Sequence, residues 1–264
     1  GVANIVAIGQ EAVSGSVDLN NIVVIGNNAG LDLEQSDDLV SLGRNSVALS
    51  SGINSVVAIG RDVASNASGI DTSVLLGQQT ASGAYSLYSV VAMGEKALHE
   101  SSGVNNVFAV GTQAGRYAHV LNDSIVMGNS AARSGEELER TIAIGAMSAA
   151  NASGSFNTYI GQDAGIGVSG HNNLEIVSSG ENVSFLGAVA SNKINIKNLI
   201  AGDSSTYRLS LGYPSGADPE ATLVVNPRFA SEPAFVIRHQ QDGNDNYFQL
   251  QSGDATTFFN IDAS

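Results

Sequence analysis

One glycine sets the frame of this chain. It recurs at Gly9, Gly26, Gly43, Gly60, Gly77, Gly94, Gly111, Gly128 and Gly145, always 17 residues apart, and again at Gly161 after 16. A register held through nine units is the signature of a repeat architecture, and it constrains the fold before any other feature is considered. Each glycine closes a short apolar run, such as Ile22-Val23-Val24-Ile25, Val56-Val57-Ala58-Ile59 or Val107-Phe108-Ala109-Val110. β-Branched residues dominate these runs, as a pleated strand prefers. A polar turn-former precedes each run: Asn4, Asn21, Asp38, Ser55, Thr72, Ser89, Asn106 or Asp123. Three residues after each glycine stands a small or slim residue, from Ala12 and Ala29 to Ser148 and Ala164. The rest of the unit is rich in Gly, Ser, Asn and Asp, the residues of turns.

A four-residue strand cannot bury its own surface. Stacking the units places each strand about 4.8 Å from its successor in a parallel ladder. About ten such coils span on the order of 50 Å. The repeat glycines are expected at a structural corner, where a side chain would collide or where φ must be positive. Along the strand, Val57 and Ile59 share one face, and Val56 and Ala58 share the other. Both faces are apolar, and a strand apolar on both faces is buried on both. A narrow coil has only one inside. The second face therefore needs a cover, either a second copy of the chain or a second layer of the same chain.

Composition fits thin strands rather than a thick core. Of the 264 residues, 43% are apolar and 14% charged, 30 are glycine, and Trp is absent. The net charge of −14 offers no basic footprint for nucleic acid and no attraction to an anionic membrane. No apolar run approaches the ~20 residues of a membrane helix. With no Cys, disulfides and thiolate metal sites are excluded. The chain begins Gly-Val-Ala inside a repeat and ends Asn-Ile-Asp-Ala-Ser, so a fragment or processed chain is expected.

Beyond residue 170 the pattern changes. Strand-like runs appear at Val183–Leu186, Ile194–Ile196, Tyr207–Gly212, Ala221–Val225, Ala234–Arg238, Tyr247–Leu250 and Thr257–Ile261. They are longer, more aromatic and separated by Asp/Gly turns. All four prolines (Pro214, Pro219, Pro227, Pro233) lie here, and none interrupts the repeat, as an unbroken ladder requires. The sequence predicts two regions: 1–170, a repetitive roll, and 171–264, a β-rich shaft or connector.

The unit Asn/Ser-x-Val-Ala-Ile-Gly-x-x-Ala resembles the head repeat of trimeric autotransporter adhesins, seen also in fibre proteins of bacteriophage tails. The resemblance covers roughly residues 1 to 170. It implies an all-β fold, a left-handed parallel β-roll wound as a homotrimer. The C-terminal third looks like the β-shaft segments of phage tail fibres, because no heptad pattern of a coiled-coil stalk follows. The family's common unit is shorter than 17 residues, which implies longer outer loops here.

Side chains with chemical potential are scattered. His99, His119, His171 and His239 each stand alone, without metal-ligand spacing. If the coils stack in register, His99 and His119 fall in outer loops of adjacent coils, a possible metal or pH-sensing pair. Glu136, Glu137 and Glu139 with Arg133 and Arg140 form a charged cluster expected to decorate one extended loop. Paired carboxylates could cleave a glycan, as tailspike enzymes do, but that chemistry needs a sugar groove with aromatic platforms. Asp32, Glu34, Asp37 and Asp38, and again Asp242, Asn244 and Asp245, are acidic turns without a complete Ca²⁺ loop. The ladder Ile5, Ile22, Leu39, Val56, Ser73, Val90, Val107, Ser124, Thr141 is not the threonine ladder of an ice-binding face; it points to protein packing. No catalytic residue, metal or cofactor is expected.

The reading that follows is a structural component of a homotrimeric virion tail fibre or related appendage, presenting loops for attachment to a host. Its expected partners are itself, other virion tail or fibre proteins, and a host-surface receptor, glycan included, with neither nucleic acid nor membrane insertion. The alternatives are a bacterial cell-surface adhesin of the autotransporter type and a polysaccharide-degrading tailspike.

Overall fold

Each 17-residue unit forms one turn of a parallel β-solenoid, and about 11 turns stack in succession. The computed structural model describes residues 2–177, 189–196, 200–203, 208–211, 223–225, 248–251 and 257–261. All regular structure among them is β.

Residues 43–59 show how one coil is built. Six of them have positive φ: Gly43, Asn45, Val47, Leu49, Gly52 and Ser55. A left-handed conformation costs an L-residue roughly 1–2 kcal/mol. The coil recovers this through hydrogen bonds to its neighbours. Asn45 N donates to Asn27 O of the preceding coil (3.0 Å), Val47 N to Val63 O of the next (2.8 Å), and Leu49 N back to Leu31 O (2.7 Å). The inter-coil ladder thus runs through the turn as well as the strand, and the backbone groups there are satisfied.

The strand is longer than the four apolar residues indicate. Ser51–Ile59 is one nine-residue strand bent at Ser55, whose φ is 53°. In this and the other nine-residue strands the polar residue before the apolar run bends the strand without ending it, whereas at Thr72, Asp123 and Arg140 it separates two short strands. Asn21, Asp38, Asn106 and Asp123 sit at the same bend with φ between 50° and 53°. Asn and Asp reach this conformation more easily than other L-residues. They also stack: Asn21 Nδ2 donates to Asp38 Oδ1 (2.9 Å) and Asn106 Nδ2 to Asp123 Oδ1 (2.9 Å).

At Gly77 both reasons for glycine coincide. Its φ is +134°, and a Cβ there would lie 2.6 Å from Gly94 O of the next coil. The other repeat glycines from Gly9 to Gly145 likewise face the next glycine's carbonyl, and Gly161 faces Val177 O.

Inside the coil, Ile53, Val56 and Ala58 from the strand meet Ser46, Val47 and Ser50 from the turn, all buried. The ladder from Ile22 through Val56 and Val107 to Thr141 is this core. It is internal packing, so it presents no face to ice or to a partner.

Toward the C-terminal coils the core becomes polar. Where Ala109 and Ala143 point inward, Tyr159, Glu175 and Asn195 follow in the same column, all buried. Glu175 Oε2 accepts from Gly165 N (2.6 Å) and Oε1 from Asn195 Nδ2 (3.2 Å). Asn157 and Asn173 replace the neighbouring apolar column, and Asn173 Nδ2 donates to Asn157 Oδ1 (3.0 Å). Tyr159 Oη is buried beside Asn173, without a hydrogen bond of good geometry. Burial pushes its phenol above the ordinary tyrosine value, and the Glu175 carboxylate adds to that push.

Parallel stacking continues from Thr158–Ile160 to Leu174–Ile176 and on to Lys193–Ile196. Lys193–Ile196 then pairs antiparallel with Ile200–Asp203, and that strand antiparallel with Arg208–Leu211. Leu223–Val225 adds a parallel partner. These elements belong to one compact unit, Gly1–Asn226. A second unit, Pro227–Ser264, holds the antiparallel pair Phe248–Gln251 and Thr257–Ile261. The runs Val183–Leu186 and Ala234–Arg238, the four prolines, His239, Asp242, Asn244 and Asp245 lie outside the described residues.

Candidate functional site

The second apolar face of the strand is the chain's most extensive candidate surface. In the coil of residues 43–59, Val56 and Ala58 point inward, at 1% and 0% exposure, and Val57 and Ile59 point outward. Ile59 retains 39% of its surface. Nothing among the described residues covers this face, so no second layer of the described chain buries it.

The face is continuous. Strand register places Val6, Val23, Val40, Val57 and Val74 in one column, followed by Val91, Phe108, Ile125 and Ile142. Beside it run Ile8, Ile25, Leu42 and Ile59, continuing through Met93 and Met127 to Ile176. From Val6 to Leu174 only Thr158 interrupts the first column. Every member is half-buried or exposed; Phe108 keeps 41%. With ~4.8 Å per coil and columns roughly 7 Å apart, the strip covers on the order of 500 Å². Apolar patches of that size on a soluble chain mark interaction surfaces.

The other outward arm of the same strands is mainly polar, with Tyr85 and Tyr88 as exposed aromatics among its amides and carboxylates. Asp37, Asn54, Asn105 and Asn122 occupy it, hydrogen-bonded from coil to coil: Asp37 N donates to Asn54 Oδ1 (3.1 Å) and Asn105 Nδ2 to Asn122 Oδ1 (3.0 Å).

The chemistry-bearing side chains do not converge. His99 and His119 occupy different columns: His99 Nδ1 lies 2.9 Å from Ser82 O, and His119 Nδ1 3.0 Å from Ser102 Oγ. His171 Nδ1 accepts from Ser155 N (2.9 Å). Among the described residues no group of three or more His, Asp or Glu could hold a metal. Glu136, Glu137 and Glu139 are not on an extended loop. They form the strand Glu136–Glu139, paired in register with His119–Asn122. The parallel ladder extends the chain there, so the three acids are held in the coil and not gathered around a cleft. Arg140 turns away from them, with Nε 3.8 Å from Asp123 Oδ2 and its guanidinium 5.0 Å over the Phe156 ring. Asp37 and Asp38 receive Asn21 Nδ2, which occupies carboxylate lone pairs that a Ca²⁺ ion would need.

One group escapes a motif search. His99, Arg116 and Arg133 each stand five residues after a repeat glycine, in consecutive coils. Their 17-residue spacing was the signal, and it becomes visible only when the coils are aligned as columns.

Compared with protein-family models, curated proteins and solved structures, the chain matches none.

Proposed function

We propose that this chain is a structural segment of a homotrimeric fibre, a virion tail fibre or related appendage, that displays its coil turns for attachment to a host surface. The observation that carries this reading is the exposed apolar strip. A solenoid that needed only to fold would leave water-facing positions polar, as its own Asn/Asp arm does. One strip per chain, parallel to the stacking direction, lets copies close around a common axis. Closure also removes the aggregation hazard of a long apolar surface. The trimeric count follows from the resemblance of the repeat to adhesin heads and phage fibres. Acidity accords with an exposed fibre that must stay dispersed in solution. The polar turns on the far side of each coil remain free to meet a receptor.

Light scattering after gel filtration tests the reading. A native mass near three chains is the expected result. A monomeric mass would sink it, because the strip would then be stable in water.

A further inference from the structure

The turn side of the coils carries a second surface that neither core nor strip uses. In three consecutive coils the outward residue five positions after the glycine is His99, Arg116 and Arg133. The stacking is direct. Tyr117 N donates to His99 O (3.3 Å), Ser134 N to Arg116 O (2.8 Å), and Asn151 N to Arg133 O (2.9 Å). Rungs about 4.8 Å apart bring the charges of Arg116 and Arg133 close enough to repel. The fold does not require them there, since Ser65, Ser82 and Ala150 fill the same column in other coils.

Acids are plentiful, 25 against 11 Lys and Arg, and several cations are paired with them, His99 of this column included, its Nε2 3.4 Å from Glu100 Oε1. Arg61 Nε lies 3.4 Å from Asp62 Oδ2, and Lys96 Nζ 3.7 Å from Glu95 Oε1. Arg116 and Arg133 meet no carboxylate among the described residues, although Glu136 and Glu137 follow Arg133 closely in sequence. Arg116 lies over the half-exposed Tyr117 ring at 4.3 Å and donates from Nη2 to Tyr117 Oη (2.5 Å). Its Nε is buried without an acceptor. That atom is closed to solvent and so to a ligand; what an anion can meet is the charge of half-buried Arg116 and exposed Arg133, which no carboxylate among the described residues offsets.

The same side of the preceding coils holds a groove of about 380 Å³, lined among others by Asn45, Asp62, Asn66, Gln79, Ser82 and Leu49. It leads into the column of His99, Arg116 and Arg133, because His99 Nδ1 contacts Ser82 O. Amides, a hydroxyl and a carboxylate beside an aliphatic wall suit a ring carrying many hydroxyls.

We propose that this side of the solenoid binds a surface glycan through an acidic sugar. The sugar's carboxylate or sulfate sits against Arg116 and Arg133 beside Tyr117, and neutral sugar residues extend along the groove. The proposal rests on the reading of the chain as an attachment fibre. The net charge of −14 opposes a ligand with a charge on every unit, such as a nucleic acid. That repulsion is screened beyond about 8 Å at physiological ionic strength. An isolated acid flanked by neutral sugars reaches the local cations without meeting it.

The test uses the full chain, with calorimetry or saturation-transfer NMR. The probes are a glucuronate-containing oligosaccharide, a sulfated one, the carboxyl-reduced neutral analogue, inorganic sulfate and a single-stranded oligonucleotide. Binding of at least one acidic sugar is expected, with the neutral analogue roughly tenfold weaker or worse, the equivalent of losing one charged hydrogen bond. Arg116→Ala/Arg133→Ala should lose that preference, and Arg61→Ala should keep it. Should the double variant fail to fold, the exposed Arg133→Glu alone must weaken the acidic sugar and leave the neutral one unchanged. Equal binding of acidic and neutral sugars, no binding of either acidic sugar, or an unaltered double variant would overturn the proposal. So would inorganic sulfate or the oligonucleotide binding as tightly as the glycan. Native mass is read on the same samples. A trimer that binds no acidic sugar defeats this inference alone, whereas a monomer defeats the fibre reading whatever it binds.

Discussion

The two outward arms of each coil share a backbone and differ in everything they present. In residues 51–59, Ile53 before the bend and Val56 and Ala58 after it are equally buried. Outside, Asn54 precedes the bend, and Val57 and Ile59 follow it. Stacking dictates the inner residues of both arms, because each coil must fill the same narrow interior. It leaves the outer residues free. One arm has taken amides and carboxylates that bond from coil to coil, as a surface kept in water should. The other has taken Val, Ile, Leu, Met and Phe through coil after coil. The fold has no use for that choice, so its cause lies outside the coil. The contrast teaches that in a solenoid the interior reports on folding and the exterior on partners.

Substitutions can break this comparison at graded levels. The largest effect is expected inside. Ala58→Asp buries an unpaired carboxylate and should cost several kcal/mol, enough to abolish the β signal of neighbouring coils in circular dichroism. Next comes the corner. Gly77→Ala forces a Cβ against Gly94 O at positive φ and should cost about 1–3 kcal/mol, read as a lower melting temperature. Ile59→Asp, one residue from Ala58 but on the outer face, should leave the coil folded and reduce the native mass toward one chain. If Ile59→Asp assembles and melts like the parent, the strip is not an interface. On the polar arm, Asn54→Ala removes the acceptor of Asp37 N and should cost about 1 kcal/mol without changing the mass.

The smallest effect is expected in the polar core of the last coils. Tyr159→Phe removes a buried hydroxyl that makes no hydrogen bond of good geometry and should be neutral or slightly stabilising in a thermal melt near neutral pH. Its signature is alkaline. Burial raises the folded phenol's pKa, so the tyrosine's contribution is intact below the unfolded value near 10 and is lost as pH rises toward the folded one. The parent should lose stability above about pH 10 more steeply than Tyr159→Phe.

Much of the fold was legible because the 17-residue register is written in residue types with few conformational options. The glycines, the small residues after them and the Asn/Asp bends each carry a local physical cause that repeats. Other conformations left no such mark. Val47, Leu49, Leu98 and Tyr117 adopt positive φ, against the preference of their side chains. Only the hydrogen bonds of stacked coils hold them there. The nine-residue strands were also hidden, since a polar residue at the bend looks like a strand end until its neighbours in adjacent coils supply the ladder.

By itself, then, the sequence determined the repeat, its parallel stacking and the pairing of Val57 with Ile59 against Val56 with Ala58. It did not determine which pair lies inside, because alternation along a strand is symmetric and both pairs are apolar. The closing of the coil broke that symmetry: it turned Val56 and Ala58 toward the turn residues and left Val57 and Ile59 in water. Stacking likewise made neighbours of His99, Arg116 and Arg133, which lie far apart along the chain. Both surfaces exist only at the level of tertiary structure, because each is a column of single residues drawn from successive coils.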